Sequence, residues 1–221
     1  VMAEASGVVM EGRISIGCPS LESDEKVNAF KPINDFAKSL NVKMGIQLAH
    51  AGRKASTMLP WDDHRIASLD EGGWIPVSSS PLAYHGMLEP HELTVAQIAE
   101  LVEAFASAAK RSVAAGFDLV EIHAAHGYLF HQFYSPLSNQ RGDNYGGSFD
   151  NRIRFLLETI KAVRSVIPDS MPLFVRISAS DWVEQGWSIE ESIELSKLMK
   201  QLGVDLVDVS SGGNLHNAPI K

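Results

Sequence analysis

Side chains able to do acid–base and hydrogen-bonding chemistry stand at the ends of several short apolar runs. His123, His126 and Tyr128 lie close together in the segment EIHAAHGYL. Imidazole and phenol groups in such a cluster can stabilise an oxygen that gains negative charge and can transfer a proton. Gln47 lies in IQLAHAGRKA and Arg176 in FVRISASD. Both would be costly to bury without partners, so a planar hydrogen-bonding ligand above the strands would suit them.

Each of these residues also has a less specific interpretation. A strand-end histidine is often a hydrogen-bonded packing residue, and Gln47 or Arg176 could pair with a protein group such as Glu4. His123 and His126 form an HxxH pair, which would suit a zinc-dependent hydrolase. The sequence signals no third ligand, so we expect no metal site, and metal analysis would test this rival class.

The elements that position these residues follow from an alternation of apolar runs and amphipathic stretches. Apolar runs at residues 1–5, 44–48, 119–123, 173–177 and 204–209 are typical of strands covered on both faces of a parallel sheet. Helices are predicted at about residues 25–40, with Pro32 near the first turn, after a capping box of Thr94 and Gln97, along residues 153–163, and after a cap of Ser188 and Glu191.

The alternation of strand and helix predicts an α/β fold of right-handed parallel βα units. No GxGxxG fingerprint follows any of the strands, which favours a (β/α) barrel over a doubly wound sheet. The active site of a barrel lies at the carboxyl ends of its strands, where the polar residues stand. The chain shows no internal repeat or linker, so one domain over residues 1–221 is expected.

Composition excludes several classes of function. The 221 residues carry 19 Lys and Arg against 27 Asp and Glu, a net charge of −8 without a basic block, which argues against nucleic-acid binding. No apolar run approaches the roughly 18 residues that span a bilayer, and the start does not resemble a signal peptide. With Cys18 as the single cysteine, the sequence predicts a cytoplasmic protein without a membrane partner.

Several segments closely resemble the Old Yellow Enzyme family of FMN-dependent ene-reductases, in its bacterial NADPH dehydrogenase branch. They are IQLAHAGRKA, HAAHGYLFHQFYSPLSNQRGDNYGGSFDNR and PLFVRISASDW, and MAEASGVVMEGRI fits the family's second strand. The resemblance covers essentially the whole chain. It implies a TIM barrel that binds FMN over the strand ends and uses NADPH or NADH as reductant. It also implies a small enone or phenolic ligand, whose C=C bond takes a hydride from flavin N5 and a proton from a tyrosine.

The resemblance also assigns roles to individual residues. Three match positions at the FMN ring, with Ala5 lining the ring, Gln47 on its pyrimidine edge and Arg176 on its N1 and O2 side. His123 and His126 match the pair that binds the carbonyl oxygen of the substrate, and Tyr128 matches the proton donor. Iron–sulfur relatives of the same barrel need a cysteine cluster, which a sequence with one cysteine does not supply.

The length of the chain sets a further expectation. The five strand-like runs match the second to sixth strands of the family, so a partial barrel is expected, without the strands that hold the FMN phosphate. Two unpaired sheet edges would favour association, and a homo-oligomer is one expectation. The alternative to an ene-reductase is a truncated or non-catalytic barrel that acts as a binding or structural remnant.

Overall fold

The computed structural model, which describes residues 1–62 and 65–220, is built on a sheet of five parallel strands. In chain order the strands are β1 (Met2–Gly7), β2 (Gly45–Ala49), the short β3 (Val77–Ser78) and β4 (His91–Glu92), β5 (Leu119–Ala124), β6 (Leu173–Ser178) and β7 (Leu206–Ser210). The main sheet runs β1-β2-β5-β6-β7, and β3 pairs with β4 in a separate small sheet. The order and parallel pairing are those of consecutive βα units of a barrel.

The helices are α1 (Asp24–Ser39), α2 (Val95–Ala114), α3 (Leu129–Tyr134), α4 (Phe149–Val166) and α5 (Ile189–Gln201). Two of them begin at the predicted capping boxes. Thr94 accepts a hydrogen bond from the Gln97 N–H at the start of α2, and Ser188 accepts one from the Glu191 N–H at the start of α5. Helix α2 packs against α4 on one side of the sheet.

The two faces of the sheet differ in polarity. Strand side chains alternate between faces, so the outer face buries Ile46, Leu48 and Ile122 completely against the helices. The other face receives the intervening polar side chains, among them Gln47 and His123. Strands β2 and β5 are covered on both faces as predicted. The prediction is wrong for the edge strands β1 and β7, where Leu206 and Val209 of β7 are exposed because no further strand or helix covers them among the described residues.

The structure differs from the sequence-based expectations at three places. Helix α3 was not predicted, because all of its residues are buried and it shows no polar face. Pro32 lies in the interior of α1 and not near its first turn. It removes the hydrogen bond to the Asn28 carbonyl, at a helix that is largely exposed. Strands β3 and β4 have two residues each, too short for a periodic pattern.

The capping box of α2 offers a test of the fold. Thr94→Ala removes the acceptor for the Gln97 N–H, and we expect the free energy of unfolding to fall by about 1 kcal/mol. Urea denaturation followed by circular dichroism measures the change. Ser107→Ala, an exposed position of the same helix, serves as the control and should not lower stability. Equal stability of Thr94→Ala and the wild type would contradict the cap's contribution.

Candidate functional site

Three of the predicted site residues meet at the turn between β5 and α3. The His123 and His126 ring centroids lie 5.2 Å apart at an interplanar angle of 90°. The His123 and Tyr128 centroids lie 5.0 Å apart at 89°. Tyr128 is the N-cap residue of α3, and His126 has a φ of 60°, in the left-handed region. The structure thus brings the two imidazoles and the phenol together at the carboxyl end of β5.

Both imidazoles of this cluster are neutral near pH 7. Burial, followed by the charge on a protonated His126, lowers the pKa of His123 to about 3. Burial, followed by the Arg176 cation, lowers the pKa of His126 to about 4. The Ala125 N–H donates to His123 Nδ1 at 3.2 Å, so the proton of a neutral His123 ring sits on Nε2. His123 therefore presents Nε2–H as a hydrogen-bond donor.

His126 and Tyr128 each keep a proton that they can donate near pH 7. His126 Nε2 lies 2.7 Å from Ser210 Oγ at the end of β7. When that hydroxyl donates, the ring proton of His126 sits on Nδ1 and is available to another acceptor. Burial raises the pKa of Tyr128 to about 12, so the phenol keeps its proton near pH 7. The site then holds two imidazole donors and one phenolic acid.

A buried polar network lies beneath the turn and fixes its shape. His131 Nε2 lies 2.8 Å from Asp181 Oδ1, with both side chains fully buried. The Gly127 N–H donates to His131 Nδ1 at 2.9 Å, so His131 Nε2–H is the donor to the carboxylate. The Ser135 hydroxyl and the Trp187 N–H both donate to Asp181 Oδ2, at 2.6 and 2.9 Å.

Asp181 keeps its charge in this setting. Burial alone would raise the pKa of the carboxyl group, but the hydrogen bonds from His131, Ser135 and Trp187 and the attraction of His131 outweigh it. The net result is a pKa below the ordinary value of 3.8. An ionised, fully bonded carboxylate thus anchors the turn that carries the cluster.

Loops that follow three different strands meet at the turn. A Cβ on Gly127, whose φ is 73°, would lie 2.2 Å from the Gly213 carbonyl oxygen, so only glycine fits this backbone crossing. Lys54 Nζ donates to the His126 oxygen at 2.9 Å and to the Gly213 oxygen at 3.1 Å. Arg53 Nη2 donates to the carbonyl and side-chain oxygens of Asn214 at 2.8 and 2.9 Å. The loops after β2, β5 and β7 form one polar surface.

The Lys54 ammonium also contacts aromatic rings of the site. Its Nζ lies 4.6 Å from the centroid of Tyr84 and 5.2 Å from that of Tyr128. Burial, and then the neighbouring Arg53 cation, lower the pKa of Lys54 to about 8. The side chain remains mostly cationic near pH 7. It holds positive charge against the phenol that the resemblance identifies as the proton donor.

Gln47 and Arg176 lie on the interior face, each beside a carboxylate. Gln47 Nε2 donates to Glu121 Oε1 at 2.7 Å, and Arg176 Nε lies 3.2 Å from Asp208 Oδ2. Both residues therefore have a protein partner, as the less specific interpretation allowed, but neither partner is Glu4, which is exposed. Glu121 and Asp208 were missed by sequence reasoning. For Glu121 a signal was available, because it stands two residues before His123 on the same strand face.

These interior groups suit the edge of a flavin ring. Arg176 Nε is buried and makes no hydrogen bond, although Asp208 is close. An amide offers a donor and an acceptor side by side, which matches an imide edge, and a guanidinium suits a ring nitrogen and carbonyl that gain negative charge. Ala5 lies in an irregular stretch of β1, where it and Glu4 together stand opposite Gln47. The donor set therefore fits the cofactor implied by the resemblance.

Side chains of the loop before α4 form hydrogen bonds within the loop and to a neighbouring segment. Arg141 donates to Asp143 Oδ2 at 2.6 Å and to the Leu93 carbonyl at 2.6 Å. The Asn151 amide donates to the Gly146 carbonyl at 3.1 Å. These bonds hold the loop in place, and none of these side chains contacts the histidine cluster through a hydrogen bond described in the structure.

Across residues 1–62 and 65–220, no group of three or more His, Cys, Asp or Glu side chains is arranged to hold a metal ion. Over the same ranges, no helix has the length and apolar character needed to cross a bilayer.

Comparison with known proteins gives consistent matches. The model of the NADH:flavin oxidoreductase / NADH oxidase family matches residues 1–220. An NADH:flavin oxidoreductase from Gibberella zeae is 46% identical over 96% of this chain and 55% of its own length. The NADPH dehydrogenase of Bacillus subtilis is 44% identical over 98% of this chain and 59% of its own length. The chain thus spans a little over half the length of these curated relatives.

Solved structures agree with the sequence matches. A 2-naphthoyl-CoA reductase complex superposes with a TM-score of 0.88 at 26% identity, covering 100% of this chain and 34% of that one. An old yellow enzyme homologue from Zymomonas mobilis gives 0.78 at 27% identity, covering 94% and 59%. Morphinone reductase in complex with tetrahydroNAD gives 0.79 at 26% identity, covering 94% and 60%. The predicted partial TIM barrel and the family resemblance are confirmed.

The buried carboxylate under the turn generates a stability prediction. In Asp181→Asn an amide NH2 group replaces one of the two carboxylate oxygens that accept hydrogen bonds, so a donor faces a donor. We expect the free energy of unfolding at pH 7 to fall by about 2–3 kcal/mol. Because the pKa of Asp181 is lowered in the folded state, its stabilising effect is present above the unfolded value and is lost as the pH falls through the folded pKa.

Denaturant unfolding of Asp181→Asn and wild type between about pH 7 and pH 3 checks this expectation. The difference between the two proteins should narrow toward the acid end. Asp169→Asn, an exposed position, is the matched control and should follow the wild type at every pH. A difference that stays constant down to pH 3 would show that the charge of Asp181 does not contribute.

Proposed function

Because the chain belongs to the NADH:flavin oxidoreductase / NADH oxidase family, we propose that it provides the ring-binding and substrate-binding part of an FMN-dependent NAD(P)H oxidoreductase. We propose further that the reaction is the reduction of the C=C bond of an α,β-unsaturated carbonyl compound. The observation that carries the proposal is the cluster of two neutral imidazoles and one phenol on the turn after β5. The interior residues Gln47 and Arg176 support it as groups that fit a flavin edge.

The chain's own residues have separate tasks in this reaction. FMN, when bound, supplies the hydride that it has received from NADPH or NADH. The Gln47 amide binds the pyrimidine edge of the ring. The Arg176 guanidinium places a positive charge on the N1 and O2 side, where it favours the negatively charged reduced form. Ala5 leaves room for the ring because its side chain is small.

His123 and His126 bind and polarise the substrate. Their ring N–H groups donate to the carbonyl oxygen, which gains negative charge when the β-carbon accepts a hydride. Because both rings are neutral, each offers an N–H without adding a net charge to the buried site. Preformed donors of this kind each contribute about 3 kcal/mol of transition-state stabilisation. The same donors would bind the oxygen of a phenolic ligand.

Tyr128 completes the reaction by transferring its proton to the α-carbon. Burial keeps the phenol protonated until an enolate, a strong enough base, forms beside it. The Lys54 ammonium, 5.2 Å from the Tyr128 ring, stabilises the phenolate that remains.

Two alternatives have less support. A non-catalytic remnant is not favoured, because the relatives in Bacillus subtilis and Gibberella zeae carry oxidoreductase names and share the chain almost throughout. A zinc hydrolase would need a third ligand beside His123 and His126, and residues 1–62 and 65–220 hold no group of three or more His, Cys, Asp or Glu side chains arranged for a metal ion. Purified chain that binds zinc through His123 and His126 would revive this second alternative.

Replacing the phenol tests the proposed reaction. With FMN bound, NADPH as reductant and 2-cyclohexenone as substrate, Tyr128→Phe should lower the rate of enone reduction by about 100-fold, because the proton donor is lost. The rate at which NADPH bleaches the flavin absorbance should change little. Stopped-flow absorbance follows both half-reactions. Wild-type protein that binds no FMN, or that reduces no enone, would contradict the proposal.

A second test separates substrate binding from cofactor binding. His123→Ala removes one of the two donors, and we expect the affinity for a para-substituted phenol to fall by about 10-fold. The affinity for FMN should change by less than about twofold, because His123 is not assigned to the ring edge. Calorimetric titration measures the phenol, and fluorescence quenching measures FMN. Equal losses for both ligands would count against the assigned roles.

A further inference from the structure

We propose that Glu121 is a positioning residue that fixes the orientation of the Gln47 amide and so prepares it for the pyrimidine edge of the flavin ring. This inference rests on the proposed function, since it concerns the same ring site. Neither the sequence patterns nor the family resemblance assigned Glu121 a role. Its side chain is buried on the interior face of the partial barrel, yet it is a carboxylate that the proposed reaction does not use.

Glu121 and Gln47 are placed together by the register of the sheet. They stand directly opposite each other on β5 and β2, and their side chains are 3% and 7% exposed. Gln47 Nε2 and Glu121 Oε1 are 2.7 Å apart. When Glu121 is ionised, a contact of this length between a buried amide and a carboxylate is a charge-assisted hydrogen bond, stronger than one between two neutral groups.

The charge of Glu121 decides which end of the amide faces it. An ionised carboxylate only accepts hydrogen bonds, so it must meet the NH2 end of Gln47. Rotating the amide by half a turn would set its oxygen against a carboxylate oxygen and leave both without a donor. Gln47 Oε1 and the second N–H are then directed away from Glu121. An adjacent acceptor and donor complement the N3–H and carbonyl groups of a flavin ring.

Burial and groups on the strands β2, β6 and β7 shift the pKa of Glu121. Burial raises the pKa of the carboxyl group, while the Gln47 hydrogen bond lowers it. Asp208 on β7 raises the pKa and Arg176 on β6 lowers it. A protonated Glu121 could donate to Gln47 Oε1 and stabilise the opposite rotamer of the amide. Protonation of Glu121 therefore removes the preference for the orientation that binds the ring.

Riboflavin is the probe for this inference, because it presents the ring without a phosphate group. Fluorescence quenching at about pH 8 gives its dissociation constant for wild type, Glu121→Gln, Gln47→Ala and the double variant. Glu121→Gln keeps the size of the side chain but no longer selects one amide rotamer, so affinity should fall by about 10-fold. In the Gln47→Ala background the same change should have no further effect. Glu158→Gln, on the partly exposed side of α4, is the matched control.

The outcomes are distinguishable. Riboflavin affinity of Glu121→Gln within about twofold of wild type would overturn the inference and leave the proposed function standing. An equal loss in both backgrounds would also overturn it, because a purely structural role of Glu121 would not depend on Gln47. Wild-type protein that binds neither FMN nor riboflavin would overturn the proposed function itself.

A second measurement applies if Glu121→Gln does not fold. Wild-type affinity for riboflavin should fall as the pH is lowered through the pKa of Glu121, which burial raises above its ordinary value. Gln47→Ala should bind more weakly and show no such dependence. A wild-type affinity that does not change as Glu121 takes up its proton, or an equal pH dependence in Gln47→Ala, would overturn the inference.

Discussion

The contact between His131 and Asp181 is the interaction on which the site depends. It joins the short helix α3 to the loop after β6, and through the Gly127 N–H it fixes the turn that carries the histidine cluster. Removing the donor from a buried hydrogen bond to a charged group is costly, because the carboxylate of Asp181 would stay buried with an acceptor unsatisfied. His123, His126 and Tyr128 thus lie on a turn that is hydrogen-bonded to a pair with no part in the proposed chemistry.

Hydrogen bonds also connect the loops above the sheet to one another. Arg53 and Lys54, from the loop after β2, bond carbonyl oxygens of the loops after β5 and β7. The Gly127 and Gly213 backbones cross at a distance that no side chain permits. Side chains from different strands are therefore held by backbone contacts that do not depend on a ligand. Such preorganisation suits a site whose donors must be in place before charge develops on the substrate.

The elements were predictable where a local signal exists. Apolar runs marked all five strands of the main sheet, and the Thr94 and Ser188 caps marked two helix starts. The predicted alternation of strands and helices also placed His123, His126 and Tyr128 at the carboxyl end of a strand. Helix α3 carried no such signal, because a fully buried helix lacks a polar face. Pro32 was misplaced, because an exposed helix tolerates one missing hydrogen bond.

Contacts between distant segments were beyond sequence patterns. The pairing of Gln47 with Glu121 depends on the register between β2 and β5, which no local pattern reveals. The crossing of Gly127 and Gly213 joins segments far apart in the chain, and the contact of His131 with Asp181 does the same. A glycine or a histidine is compatible with many environments, so the residue type does not indicate which distant segment it contacts. The roles taken from the family resemblance for His123, His126 and Tyr128 stay predictions.

The most direct test of the site is the protonation of its histidines. Long-range 1H–15N NMR on 15N-histidine-labelled protein, with His123→Gln and His126→Gln for assignment, reports the state of each ring nitrogen. We expect neutral His123 with its proton on Nε2 throughout the range from about pH 5 to pH 8, since its pKa is lowered to about 3. An imidazolium signal, or a His123 ring protonated on Nδ1, would contradict a site built on preformed neutral donors.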